Sequence, residues 1–183
     1  MLSAMGWNVI GVDATDAMLE RARAKVPSGT FHSGRLQALP VESNSVDLVV
    51  CGLALSHVDD LAPVYAEFAR VLRPGGRVVT TDMHPMMTCT GRMAAFPTTD
   101  ERPDVAAGDP MTIHYVPNVV HNAHEYVAAI VEAGMEVVGC HELLVGESMI
   151  ASFPSFAAFP DATRQAFLGL PYLLIWDAVK RGS

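Results

Sequence analysis

Three short apolar runs, residues 8–12, 46–51 and 77–81, are separated by stretches of helical periodicity, and this alternation constrains the fold most. After the first run, Met18, Leu19, Ala22 and Val26 recur at helical spacing until Pro27-Ser28-Gly29 ends the element. Thr15 stands where a helix cap is expected, and Asp16 favours the helix's positive end. Residues 30–33 suit a further short strand. Asn44-Ser45 marks a turn before 46–51, which is apolar enough to be buried on both faces. From Asp59 or Asp60, the residues Leu61, Val64, Tyr65, Phe68 and Leu72 form one continuous stripe, broken by Arg73-Pro74-Gly75-Gly76. Strand, helix, strand, helix and strand at these intervals predict a parallel sheet with right-handed crossovers. Helix signals return at 122–133 and stop at Gly134. Residues 135–140 and 172–179 are later strands, joined by an aromatic, Pro-punctuated connection.

The chain has 183 residues, half of them apolar and 17% charged, so a single domain with a sizeable core is expected. Its net charge of −8 comes without a basic run, which excludes a phosphate-tracking nucleic-acid surface. Cys51, Cys89 and Cys140 are odd in number and widely spaced, so they frame neither disulfides nor a zinc site and fit a reducing compartment. No signal peptide and no stretch long enough to span a bilayer is visible, which reads as a cytoplasmic protein. Residues 83–117 lose periodicity and are rich in Pro, Gly and Met; they are expected to cap the sheet. The domain then divides into a cofactor half (7–82), a cap or substrate loop (83–117) and a C-terminal half with the closing strands (118–183).

Asp13 ends the first apolar run, where nucleotide-binding α/β domains place an acid that holds a ribose. The plainer role for it is an interaction with the next helix's N-terminus. Cys51, Gly52 and Leu53 lie at the carboxyl end of a strand, where open α/β sheets bind ligands. Gly52 permits close backbone approach, and Cys51 reads as a small buried hydrophobe rather than a nucleophile. His57 and His84 each follow a strand and could accept a proton from a hydroxyl or amine. His121 and His124 lack a third ligand, so a role at a helix start is favoured over a metal. Met83, Met86, Met87, Met93 and Met111 crowd the cap, which suits an apolar or aromatic substrate as well as plain core filling.

Four stretches resemble class I S-adenosylmethionine-dependent methyltransferases, in particular the small-molecule group allied to the ubiquinone and menaquinone enzymes. They are VIGVDATDAMLERAR, GRLQALPVESNSVDLVVCGLALSHVDD, VYAEFARVLRPGGRVVTTD, and HEYVAAIVEAGMEVV with LPYLLIWDAVK. The resemblance implies a Rossmann-like three-layer α/β sandwich, mostly parallel, with an antiparallel C-terminal strand pair. It implies S-adenosyl-L-methionine as cofactor, held by Asp13, Ala14, Met18, Arg35, Leu36, Cys51, Gly52 and Leu53. It implies methyl transfer to a small, apolar or aromatic molecule, with His57 or His84 as the base and no metal.

Two departures stand out. The family's first strand and Gly-rich turn have no counterpart, as if the chain began inside the first helix. Arg35 occupies a position where the family usually has an acid accepting from adenine, and arginine cannot accept a hydrogen bond. The absent strand belongs between the strand ending at Asp13 and the one ending at Cys51. Its loss leaves either a gap with two unpaired edges or a direct pairing of those two strands. Either case predicts weak or no cofactor binding by 1–183, and self-association. The rival expectations are a non-catalytic methyltransferase-fold subunit, a mis-started gene product, or a nicotinamide-dependent oxidoreductase.

Overall fold

The computed structural model describes residues 2–89, 95–97, 113–115 and 119–182. After a short 3-10 turn at Ser3–Met5, the elements are β1 (Ile10–Asp13), α1 (Asp16–Lys25), β2 (Thr30–Ser33), β3 (Val46–Gly52) and a 3-10 turn at Leu55–His57. There follow α2 (Ala62–Val71), β4 (Leu72–Met83), α3 (Pro85–Cys89), β5 (Ala95–Pro97) and β6 (Ile113–Tyr115). The chain closes with α4 (Ala123–Glu132), β7 (Met135–Leu144), α5 (Glu147–Ile150), α6 (Pro160–Phe167) and β8 (Pro171–Lys180). The architecture is α/β and Rossmann-like, as the resemblance implies. Most of the expected cap, including Met93 and Met111, lies outside the described residues.

The main sheet has the order β3-β4-β8-β7. β3 and β4 are parallel, while β8 runs antiparallel to both β4 and β7. β1 and β2 form a separate parallel pair covered by α1. Of the two arrangements open to the sequence, the structure adopts the gap: β1 does not pair with β3.

The alternation of strand side chains decides the core. Val78, Thr80 and Asp82 of β4 stand opposite Ala178, Trp176 and Leu174 of β8, and all six are buried. This face packs under α2 and α4, which contribute Val64, Tyr65, Phe68, Tyr126 and Ile130. The apolar stripe of α2 is thus satisfied, and Asp60 accepts the Ala62 N–H at the helix start (2.9 Å). At the start of α4, Asn122 and Glu125 form a reciprocal capping box.

Several local details differ from expectation. Thr15 makes no side-chain cap; its own N–H donates to Asp13 Oδ1 at 2.8 Å. The Arg73-Pro74-Gly75-Gly76 stretch does not separate helix from strand, because β4 already starts at Leu72. The pairing with β3 slips there, from Val46↔Leu72 to Leu48↔Arg77, so the turn is taken up as an irregularity within the strand. Gly75 has φ +77°, a conformation that disfavours side chains. The Pro-punctuated connection before β8 holds α5 and α6, whose Ile150 and Phe167 form a small second core with Val145.

The buried face carries polar groups that need partners. The Tyr65 hydroxyl and Thr80 Oγ1 share a hydrogen bond of 2.9 Å, and the Tyr126 hydroxyl donates to Asp82 Oδ2 at 3.3 Å. Replacing Tyr65 by Phe strands the Thr80 hydroxyl, and urea denaturation should show a loss of about 1–3 kcal/mol. Adding Thr80→Val to Tyr65→Phe should recover much of it, because neither partner then remains unpaired. Equal losses in the single and double variants would show that the hydroxyl pair does not set this energy.

Candidate functional site

The carboxyl ends of β1 and β3 face a common crevice, a cavity of about 270 Å³. Asp13, Leu36, Cys51 and Gly52 line it together, four of the residues singled out from sequence. Leu39, Val41, Ala54 and Phe68 line it too, and these were not foreseen. They carry no chemical signature of their own; Leu39 and Val41 are brought there by the folding of the 34–45 loop onto α2.

That loop is held by two charged residues of α2. Glu67 accepts the Leu39 N–H at 2.7 Å and is paired with Arg70, whose Nε lies 2.7 Å from Glu67 Oε1. The Arg70 guanidinium donates onward to the carbonyls of Val41 (2.8 Å) and Leu39 (2.9 Å). Glu and Arg three apart on a helix are a visible signal, but their reach to a loop about thirty residues away is not. Arg70 holds the Glu67 carboxyl below its ordinary pKa, with the Leu39 N–H adding to the effect. The folded-state value therefore lies below the unfolded one, near 4.3. The stabilisation is complete above that pH and is lost as pH falls through the folded value. Glu67→Gln should lower the thermal midpoint at pH 7 and flatten its decline below about pH 4. An unchanged acid limb would remove Glu67 as a contributor.

Asp13 divides its carboxylate. Oδ1 takes the Thr15 N–H, so the plain helix-start role is real, while Oδ2 makes no hydrogen bond among the described residues. Leu36 packs against the main core and also lines the crevice, so it serves both. Gly52 has only Thr81 Oγ1 within contact of an added Cβ, at 3.4 Å. The fold itself therefore leaves room above Gly52, which a ligand could use. Burial, reinforced by Asp82, pushes the Cys51 thiol up to about 12, so it stays protonated and non-nucleophilic at neutral pH.

Leu53 carries φ +56°, and its N–H donates to the Thr81 carbonyl at 2.7 Å. A left-handed leucine at the carboxyl end of a strand is strained, and such strain is concentrated at binding and catalytic positions. Its side chain is exposed and does not line the crevice. Ala14, Met18 and Arg35 are also exposed and outside the lining. Met18 points away because α1 buries Leu19 instead.

The two candidate bases differ. His57 is exposed, and its ring makes no hydrogen bond among the described residues. His84 is held at both nitrogens: Nδ1 accepts the Met86 N–H at 3.2 Å, so Nε2 is the donor to Glu142 Oε1 at 3.0 Å. His121 is buried, with Nε2 2.8 Å from the Val58 carbonyl, just before α4. It tethers the helix start, the role expected over metal binding. Among the described residues, no group of three or more His, Cys, Asp or Glu could hold a metal ion, and no helix is long and apolar enough to cross a membrane.

An acid at the end of β1, a crevice at the carboxyl ends of β1 and β3 and an antiparallel closing strand are features of a Rossmann-like α/β domain. Residues 1–80 match the methyltransferase domain family. The demethylmenaquinone methyltransferase of Lactococcus lactis subsp. lactis is 41% identical over 85 residues, covering 43% of this chain and 34% of that one. A ubiquinone/menaquinone biosynthesis C-methyltransferase of Campylobacter jejuni is 35% identical over 75 residues, covering 41% and 32%. The chain thus spans about a third of the length of these relatives. Among solved structures, an S-adenosylmethionine-dependent methyltransferase from Mesorhizobium loti superposes with a TM-score of 0.65 at 21% identity, over 94% of this chain and 80% of that one. A methyltransferase from Methanosarcina mazei does so at 0.65 and 15%, over 100% and 86%.

Proposed function

We propose that the protein takes part in methyl transfer from S-adenosyl-L-methionine to a small apolar or aromatic acceptor, in the cytoplasm. The gathering of Asp13, Leu36 and Gly52 around one crevice carries this reading. The residues suit the cofactor: Asp13 Oδ2 can accept from a ribose hydroxyl, Leu36 offers an apolar face to adenine, and Gly52 leaves room beside the backbone. When bound, the cofactor supplies an electrophilic methyl group. The chain's part is to hold donor and acceptor in line and to take the acceptor's proton where it has one. His57, whose ring makes no hydrogen bond among the described residues, suits that proton better than His84, whose ring is committed to Met86 and Glu142. The relatives named for demethylmenaquinone and for ubiquinone/menaquinone biosynthesis make a quinone-like ring the first acceptor to assay.

The test is ligand-observed NMR with S-adenosylhomocysteine and, in parallel, NADH. Saturation transfer to the adenine and ribose protons of S-adenosylhomocysteine is expected. Asp13→Ala should remove hydrogen bonds worth about 1.5–3 kcal/mol, enough to abolish the saturation transfer. Binding of NADH alone would favour an oxidoreductase and overturn the proposal. S-adenosylhomocysteine binding that is indifferent to Asp13→Ala would remove the ribose role.

A further inference from the structure

The turn that carries His57 is short. Leu55–His57 has two internal backbone bonds, from the His57 N–H to the Ala54 carbonyl (3.2 Å) and from the Val58 N–H to the Leu55 carbonyl (3.1 Å). Such 3-10 turns have poor hydrogen-bond geometry, so their rigidity depends on what surrounds them. Here the carbonyls on either side of His57 are both taken by a distant segment. The Ser56 carbonyl accepts the Val119 N–H at 2.8 Å, and the Val58 carbonyl accepts from His121 Nε2 at 2.8 Å, 63 residues away in sequence. Because Nε2 meets a carbonyl, it carries the ring proton. Leu55, Ser56 and Val58 are buried, and His57 is the exposed residue among them. The His121 ring is held in turn. It packs edge-to-face against Tyr126, with centroids 5.9 Å apart, and its Nδ1 lies 3.8 Å from Oε1 of Glu125, the acid of the α4 capping box.

We propose that His121 is a positioning residue for His57, acting through the Val58 carbonyl. The inference rests on the reading of His57 as the group that takes the acceptor's proton. His57 lies three residues beyond Ala54, which lines the crevice. Its ring makes no hydrogen bond among the described residues, so the backbone on either side decides where the ring stands. With the Ser56 and Val58 carbonyls both tied, only the side-chain torsions of His57 are left to follow an acceptor. A reacting group misplaced by about 1 Å can lose about a hundredfold in rate, which is the loss this clamp prevents. His121 touches neither cofactor nor acceptor in this role. Removing its N–H leaves the Val58 carbonyl buried without that donor, and the turn loosens at the residue next to the base.

The experiment compares two amide variants of residues 1–183 by NMR-detected amide exchange and by methyl transfer from S-adenosylmethionine to a naphthoquinol. In His121→Gln the side-chain N–H still reaches the Val58 carbonyl, whereas in His121→Asn it falls a methylene short. The His57 and Val58 amides are expected to exchange about tenfold faster in His121→Asn and to stay within about threefold of the parent in His121→Gln, with β4 and β8 unchanged in both. Parent-like exchange in His121→Asn would overturn the inference. So would equal acceleration in both variants, since packing of the ring and not its N–H would then hold the turn. Turnover should follow the same order, with kcat about tenfold lower in His121→Asn at unchanged KM. Combining His121→Asn with His57→Gln should add nothing to the loss in His57→Gln, because both act through one imidazole. A full further loss in the double variant would overturn the inference. Undiminished turnover in His57→Gln would overturn it through the base, and is told apart from a failed clamp because exchange then still follows the Asn–Gln order. The exchange measurement needs no turnover and reads the clamp by itself.

Discussion

Phe68→Ala should lower the stability of the protein by about 3–5 kcal/mol, the usual cost of deleting a fully enclosed aromatic ring. Phe68 is 1% exposed, lies in the main core, and packs edge-on against Tyr65 with ring centroids 5.6 Å apart. Its other side forms the inner wall of the crevice, so truncation opens the core towards the crevice and the site cannot easily collapse. For a chain of this size the loss corresponds to a fall in melting temperature of about 6–20 °C. Val131→Ala, at a position 56% exposed on the outer face of α4, should stay within about 0.5 kcal/mol. Calorimetry giving the two variants the same midpoint would show that the α2 stripe is not the stabilising contact described.

Residues 1–183 alone should hold S-adenosylmethionine with a dissociation constant of about 1 mM, roughly a thousandfold weaker than a micromolar site and about 4 kcal/mol poorer. The reason lies in the crevice. Asp13 of β1, the proposed ribose acceptor, and the backbone at the end of β3 stand on separate sheets with a cavity between them, and no strand among the described residues fixes their spacing. Positioning polar groups without a rigid support costs affinity, because their ordering must accompany binding. The same unpaired edges should make the protein self-associate as its concentration rises. Isothermal titration, with sedimentation at several concentrations, checks both. A monodisperse monomer with micromolar affinity would refute this account of the crevice.

Much of this was legible in the sequence, and the parts that were not share a cause. The run of residues ending at Asp13, the α2 stripe and the strand ending near Asp82 were readable because each pattern repeats within a few residues. Helix and strand periodicity are local. The antiparallel closing pair and the division between β1 and β3 came from resemblance, since no local property states which strands are neighbours. Among site residues, Asp13 and Gly52 were visible because their chemistry is unusual where an apolar run ends.

What only the tertiary structure decided are the relations between distant segments. It placed Leu39 and Val41 in the crevice through the Glu67–Arg70 staple, and it left Met18 and Arg35 outside. It also committed both ring nitrogens of His84, one of them to Glu142, 58 residues away in sequence. Sequence alone determined the elements and the residue that ends β1, because backbone preference and side-chain period act over short range. The sheet gap, the crevice wall and the partners of each imidazole depend on which surfaces meet, and that is set by packing across the whole chain.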